Sequence, residues 1–507
     1  MNNIKLNFGL SVLVSVLILT MAFSCTKKDD NVDITPPGTT DSTKILPSAG
    51  DGIINVTIKP NDTGVAIPSS FIGLSYEINA SISGKYLSST FTKHVNLVKN
   101  LGANGVLRIG AYSVDNYHWK NTAAPATLAA NTIYRDNIDR IFGFSTATGW
   151  KCIFGVNLAT DSALVVADEI KYINDHYASR VLNYEFGNEP DLYHNWARIP
   201  PQYPLYPTPG WYQVVNYLPE WENFYSKVHA VVPTAPISGS SSSSHVSDFN
   251  IPFVDAEHAK LVMFSHHYYC PSGSSTDLIA TLLSEDKQLT SNIATLLYSA
   301  KMYNLPFRWT ECNSFAGGGS FGVSNKLASA LWGADFMFSQ AKLGVSGVNF
   351  HGGSAGSYTP IAYGDFNGVS GDVVPRPLYY GMLAFKLGSQ GTFMNNIVSN
   401  LNSVNFSVYT ILGDDGKYYI TVINKDLNKQ AYIGITGLPA KHTTQIIRMK
   451  GTIVADANTA DIVTLGGATT DANGLWSNTS TEKSGYDNSS YQLQVPKTSI
   501  AILIVDK

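Results

Sequence analysis

The stretch VLNYEFGNEP, Val181–Pro190, is an apolar, β-rich run that closes on a carboxylic acid set between Asn188 and Pro190. Upstream lies SALVVADEIKYINDHYA, whose apolar residues recur at helical spacing, and before that another β-rich run, KCIFGVNL from Lys151. Strand, helix and strand in that order form the unit of a parallel sheet. Proline cannot donate to a sheet ladder, so a strand ending in Asn-Glu-Pro leaves Glu189 at its rim.

The same alternation extends in both directions. Further strand candidates are FIGLSYEI from Phe71, GVLRIG from Gly105, PISGSS from Pro236, LVMFSHHYY from Leu261, PFRWTECN from Pro306 and VSGVNFHG from Val345. Between and after them run helical patterns such as FTKHVNLVKNLG, KLASALWGADFMFSQAKLG and PRPLYYGMLAFKLG. Eight strand–helix units in about 310 residues predict a (β/α)8 barrel over residues 67–390. An open doubly wound sheet is the alternative, but no glycine-rich phosphate loop follows the first strand. After Gly391 the pattern changes to strands joined by turns, among them VNFSVYTILG, KYYITVINKD, AYIGITGL, TQIIRMK and SIAILIVDK. Residues 391–507 therefore read as an antiparallel β-sandwich, and the strand GIINVTIKP within residues 50–66 is expected to pair into it.

Of the 507 residues only 14% are charged, and the net charge is −4. Without a basic surplus or a Lys/Arg cluster, the composition argues against a nucleic-acid partner. Residues 1–24 carry an early lysine, an apolar run and small residues before Cys25, which is similar to a lipoprotein signal peptide. Ala22 stands where such signals usually have leucine, and an ordinary cleaved signal is the alternative. The lipoprotein reading makes Cys25 the lipidated first residue of the mature chain, anchored in lipid at the bacterial cell envelope, in the outer membrane. KKDD after Cys25 resembles the export signals of surface-displayed lipoproteins, or is a solvated charge run. Residues 25–49, polar and rich in proline and glycine, read as a flexible tether. Cys152, Cys270 and Cys312 fit no metal framework and read as packed free thiols.

In a barrel of this kind, catalytic side chains sit at the C-terminal ends of the strands. Glu189 is expected at the end of the fourth and Glu311 at the end of the seventh. Two carboxylates across a barrel mouth can flank a glycosidic bond, one as acid and one as nucleophile. Strand alternation in SHHYY places His267 and Tyr269 on one face and His266 and Tyr268 on the other.

FGNEPDLY and WTECNSFAGGG resemble glycoside hydrolase family 79, a clan-A barrel family of β-glucuronidases and heparanase. IPSSFIGLSYE, LRIG, HHYY, NFHGGSAGSYTPI and RPLYYGML extend the resemblance over residues 67–385, with a β-sandwich following as in the family. It implies a retaining, exo-acting β-glucuronidase that works by double displacement, without metal or other cofactor, on terminal glucuronic acid of a glycan, with or without a 4-O-methyl group. Glu189 matches the family's acid/base and Glu311 its nucleophile. The first role needs a carboxyl kept protonated near neutral pH, the second one kept ionised by hydrogen bonds. Tyr269 matches a donor to the nucleophile, and Asn188 the side chain that binds the sugar 2-hydroxyl. His267 matches the same pattern, or is a satisfied core histidine. Glu77 matches a side chain holding a ring hydroxyl. Gly317 and Gly318 match amides that hold the carboxylate, with Tyr358 adding a hydroxyl; a flexible loop is the alternative for the glycines. Where the family often has a second glycine after LRIG, this chain has Ala111 and Tyr112. The aromatic, proline-rich insertion Tyr193–Tyr217 is expected either to stack on the leaving sugar or to pack as a stiff loop. Two rival functions remain: an endo-acting, heparanase-like hydrolase, and a catalytically silent glycan-binding lipoprotein.

Overall fold

Eight parallel strands pair in sequence order and close on themselves: Ile72–Glu77, Val106–Gly110, Lys151–Val156, Val181–Phe186, Ile237–Ser242, Met263–Tyr269, Phe307–Asn313 and Gly347–Gly352. In this computed structural model the described residues are 54–84, 86–196, 212–353, 356–364, 371–400, 403–440, 442–487 and 489–507. The signal peptide, the tether, Cys25 and residues 197–211 of the aromatic insertion lie outside them. The eight strands are the eight expected from the sequence, and the barrel is closed by pairing of the eighth with the first, Val348 opposite Ile72.

Local chemistry sets the helices between them. Ser162 caps Ala163–Tyr177 by accepting from Val165 N, and its buried Val166, Ala167, Ile170 and Ile173 make one apolar stripe against the barrel. Asp286 caps Lys287–Met302 through Gln288 N and Leu289 N. Leu327–Leu343 is buried on nearly every side, which its high apolar content requires.

The barrel interior is more polar than its strand sequences suggest. Arg308 lies fully inside, with Nε on Asn349 Oδ1 (2.6 Å) and Nη groups on the carbonyls of Ser70, Phe71 and Val348. Asn349 Nδ2 in turn donates to Leu74 O and Val106 O. A Cβ at Gly73 or Gly347 would fall on the Arg308 guanidinium, so both positions need glycine. This network braces the strands below the mouth of the barrel.

The second domain is a ten-stranded sheet curled into a sandwich. Its core is Val56, Ile420, Val422, Ile433, Ile435, Leu493 and Leu503 with their neighbours. The strand Ile54–Ala66 enters it beside Gly391–Ser399, antiparallel, and Ala431–Thr436, parallel. Cys152, Cys270 and Cys312 are buried free thiols.

Candidate active site

The fourth strand ends at Phe186, with one further bond from Gly187 N to Val156 O (2.9 Å), so it stops short of Glu189. Gly187, Asn188 and Glu189 form a strained corner, with Gly187 at φ 76° and Glu189 itself at φ 48°. A non-glycine residue in that region costs of order 1–3 kcal/mol and persists only where its surroundings hold it. Here Asp115 Oδ2 accepts from Asn188 N (3.0 Å), and Ser241 O accepts from Glu189 N (3.0 Å). Pro190 then opens a short 3-10 turn, Pro190–Trp196. Asp191 in that turn is buried and accepts from the backbone N–H groups of Ser243, Ser244 and His245.

Glu311 lies inside the seventh strand, two residues from its end. Its Oε1 accepts from the Tyr269 hydroxyl (2.6 Å) and its Oε2 from Arg108 Nη1 (2.7 Å). Burial works to raise this carboxyl; the charges of His351, His267 and Arg108 and the Tyr269 hydroxyl overcome it and hold Glu311 down to about 2. Arg108 is shared. Its Nε donates to Glu185 Oε2 (2.7 Å) and its Nη2 to Asn188 Oδ1 (2.9 Å). Burial favours loss of the Arg108 proton, but Glu185 and Glu311 more than reverse that.

His267 Nδ1 lies 3.0 Å from Glu189 Oε1, so this histidine faces the site. Its neighbour His266 points into the wall, against Ser242 Oγ and Asn250 Nδ2, and burial lowers it to about 3. One donor atom each from Glu189, His267 and Glu311 lies within 4.8 Å of the others. Such a triangle could hold a cation. Arg108 already supplies the positive charge there, and both Glu311 oxygens are hydrogen-bonded, which suits proton transfer and nucleophilic attack better.

Glu77 ends the first strand. Its Oε2 accepts from Ser113 N (2.7 Å) and Ser113 Oγ (2.5 Å), and its Oε1 faces His351 Nε2 at 3.6 Å. The buried His351 is raised: burial opposes its charge, while Glu311 and Glu77 favour it. Asn188 is 1% exposed, and its Nδ2 has no partner among the described residues, leaving both of its N–H donors available.

The loop after the seventh strand carries Gly317, Gly318 and Gly319 at φ 68°, 95° and 86°. The Gly317 and Gly318 amides donate to nothing among the described residues. The Gly318 carbonyl accepts from Ser357 N (2.6 Å), which brings Tyr358 beside the loop. The Tyr358 ring stacks over Tyr269 with centroids 6.2 Å apart. Glu77, Asn188, Glu189, His267, Tyr269, Glu311 and Tyr358 thus line one mouth, bordered by the two glycines.

The sequence reading did not assign Arg108, His351, Ser113 or Asp115. Arg108 and His351 stand in the quoted LRIG and NFHGG motifs, and a lone cation inside a short buried strand was their signal. Ser113 and Asp115 carried no local mark. Three aromatics of the insertion do not reach a sugar. Tyr193, Tyr212 and Tyr217 are each buried, and Tyr193 packs on Tyr212 at 5.2 Å.

No known protein-family model matches the sequence. The chain is 24% identical over 380 residues to a β-glucuronidase of Neurospora crassa, covering 66% of each chain. It is 26% identical over 297 residues to a β-glucuronidase of Aspergillus niger, covering 52% of this chain and 53% of that one. It thus spans just under two thirds of the first relative and about half of the second. A 4-O-α-L-rhamnosyl-β-D-glucuronidase from Fusarium oxysporum 12S, crystallised with Rha-GlcA, superposes with TM-score 0.69 at 16% identity, over 89% of this chain and 100% of that one. An arabinofuranosidase from Xanthomonas axonopodis pv. citri superposes with TM-score 0.64 at 14% identity, over 90% and 100%. Superpositions at identities this low show a common fold and no more: a (β/α)8 barrel with an attached β-sandwich.

Proposed function

We propose that the chain is a glycoside hydrolase, a retaining exo-β-glucuronidase of the family 79 type. One observation carries the reading. An oxygen of Glu189 and an oxygen of Glu311 lie within 4.8 Å of each other at the mouth of the barrel. Retaining enzymes hold their carboxyl groups about 5–5.5 Å apart, whereas inverting ones leave roughly 6.5–9.5 Å for a water. The β-glucuronidase relatives support glucuronate as the sugar.

In the first step Glu311 Oε attacks the anomeric carbon and Glu189 gives its proton to the departing glycosidic oxygen. A covalent glycosyl-enzyme and a free alcohol result. In the second step Glu189, now a carboxylate, takes a proton from water as the water oxygen displaces Glu311. Both faces are used once, so the anomeric configuration returns to β. Arg108 and Tyr269 keep Glu311 ionised and aimed. His267 orients Glu189. Asn188 Nδ2 is the donor for the sugar 2-hydroxyl, Glu77 takes a ring hydroxyl, and Gly317, Gly318 and Tyr358 meet the carboxylate.

The anchoring reading belongs here too: Cys25 is acylated and tethers the mature chain to the outer membrane. Comparing aryl β-D-glucuronide with β-D-glucoside and β-D-xyloside tests the sugar, and NMR of the first-formed product anomer tests retention. Faster xyloside hydrolysis, or initial α-glucuronic acid, would overturn the respective half.

A further inference from the structure

The glycine-rich loop, residues 314–326, is held from two sides. On one side the Gly318 carbonyl accepts from Ser357. On the other stands a loop of the sandwich, residues 454–461. Lys326 ends the glycine loop, is 7% exposed, and drives its ammonium into that sandwich loop. Nζ donates to the carbonyls of Val454 (2.7 Å), Asp456 (2.9 Å) and Thr459 (2.6 Å), with Asp461 Oδ1 at 3.4 Å. An ammonium ringed by carbonyls and backed by a carboxylate takes the place a cation has in a metal-binding loop.

Asp461 has a second role. Its Oδ2 accepts from Leu327 N (2.8 Å), the first amide of helix Leu327–Leu343, whose own N-cap residue provides no side-chain cap. A carboxylate at a helix N-terminus is favoured by the unpaired amides there. Its Oδ1 accepts from Val454 N (2.8 Å), which closes the sandwich loop on itself. Three more bonds join the two loops. Gly322 N and Asn325 Nδ2 both donate to Ala457 O, at 3.0 and 2.8 Å, and Asp461 N donates to Asn325 O at 3.2 Å.

We propose that this sandwich loop determines sugar specificity at a distance: Lys326 and Asp461 are positioning residues that keep the Gly317 and Gly318 amides converged on the sugar carboxylate. The inference rests on the glucuronidase reading, in which those amides meet that group. Three consecutive glycines with positive φ have no side chains to hold their backbone in place. Left unpinned, they would have to be ordered at each binding event, and that entropy would come out of affinity. The sandwich contributes to recognition without touching substrate.

The test compares wild type, Lys326→Met and Lys326→Arg by amide hydrogen exchange and by kinetics on 4-nitrophenyl β-D-glucuronide and β-D-glucoside. In Lys326→Met, exchange quickens over residues 314–326 while the barrel strands keep their protection. KM for the glucuronide rises roughly tenfold with kcat little changed, as expected for lost ground-state ordering. KM for the glucoside, which lacks the carboxylate, does not follow, and Lys326→Arg restores most of the loss. Faster loop exchange with an unchanged glucuronide KM, equal rises for both sugars, or unchanged exchange each overturn the proposal. Should Lys326→Met fail to fold, Asn325→Ala removes one bond to Ala457 and carries the same two readouts; no change in either overturns it. If wild type does not hydrolyse the glucuronide at all, the functional reading itself has failed, and the specificity role falls with it.

Discussion

At the scale of single residues the site works by dividing two glutamates through their partners. Glu311 has a cation and a phenol, and its carboxyl lies near 2 where 4.5 is ordinary. A carboxyl depressed in this way stays ionised as pH falls through its usual range and is protonated only close to its lowered value. The raised His351 imidazolium supplies part of that effect. Its charge is complete below the ordinary histidine range and is lost as pH rises through the raised value. His351→Asn should therefore lift the Glu311 carboxyl and move the acid limb of kcat/KM upward, by roughly one pH unit. An acid limb that stays where wild type has it would refute this electrostatic account. The two glutamates should also fail differently. Glu311→Ala should be almost inactive on an activated aryl glucuronide. Glu189→Ala should form the glycosyl-enzyme and be rescued by azide to the β-glucuronyl azide. An α-azide from Glu189→Ala would exchange the two roles.

At the scale of elements, Glu189, the proposed acid/base, is carried by a corner and not by the strand itself. Asp115, from the short turn after the second strand, accepts from Leu158 N, Asn188 N and the Tyr193 hydroxyl. One buried carboxylate thereby ties the loops after the second, third and fourth strands together. Asp115→Asn keeps the size but turns an N–H pair toward donors. The corner should shift, and kcat should fall about 100-fold with KM much less affected, since a displacement near 1 Å is enough for that. A variant with normal kcat would show that the corner is held by Ser241 alone. Asp191 plays the stabilising counterpart. Asp191→Ala leaves three backbone amides without their acceptor and should cost about 2–4 kcal/mol in denaturant unfolding.

At the scale of the whole molecule, charge limits the glycans that can be met. The net charge is −4, and no Lys or Arg lies between Glu311 and Lys326. Lys326 is itself buried on sandwich carbonyls. Endo-cleavage of a sulfated chain would need cations on both sides of the scissile bond, because each sulfate must be paired when it is desolvated. Heparan sulfate is expected to be a poor substrate, and glycans with terminal glucuronic acid on a neutral backbone to release that sugar singly. Chromatography of the products decides it: shortened sulfated oligosaccharides without free glucuronic acid would favour the endo-acting rival. The proposed anchoring should be separable from catalysis. Cys25→Ser should move the protein from the membrane to the soluble fraction with kcat unchanged. An unacylated Cys25 in soluble wild type would end the lipoprotein reading.

The chain's own pattern determined a good deal. Short strands buried on both faces, alternating with helices that carry one apolar stripe, specify a barrel, and the eight strands were legible from that alternation. Glu189 and Glu311 could be named as a pair because strand ends in such a barrel share one rim. What lay beyond reading were contacts across large sequence separations. Asp115 meets the Asn188 amide, Arg108 meets Glu311, and Lys326 meets Thr459 only once the strands and domains are assembled. Proline after Glu189 suggested a strand ending at the acid, yet the strand ends at Phe186, and Gly187 and Glu189 take up left-handed backbone. That conformation is unfavourable locally and is held by partners from other strands. Periodicity is a local property and survives in one dimension; strain and charge pairing depend on which distant groups the closed barrel brings within hydrogen-bond reach.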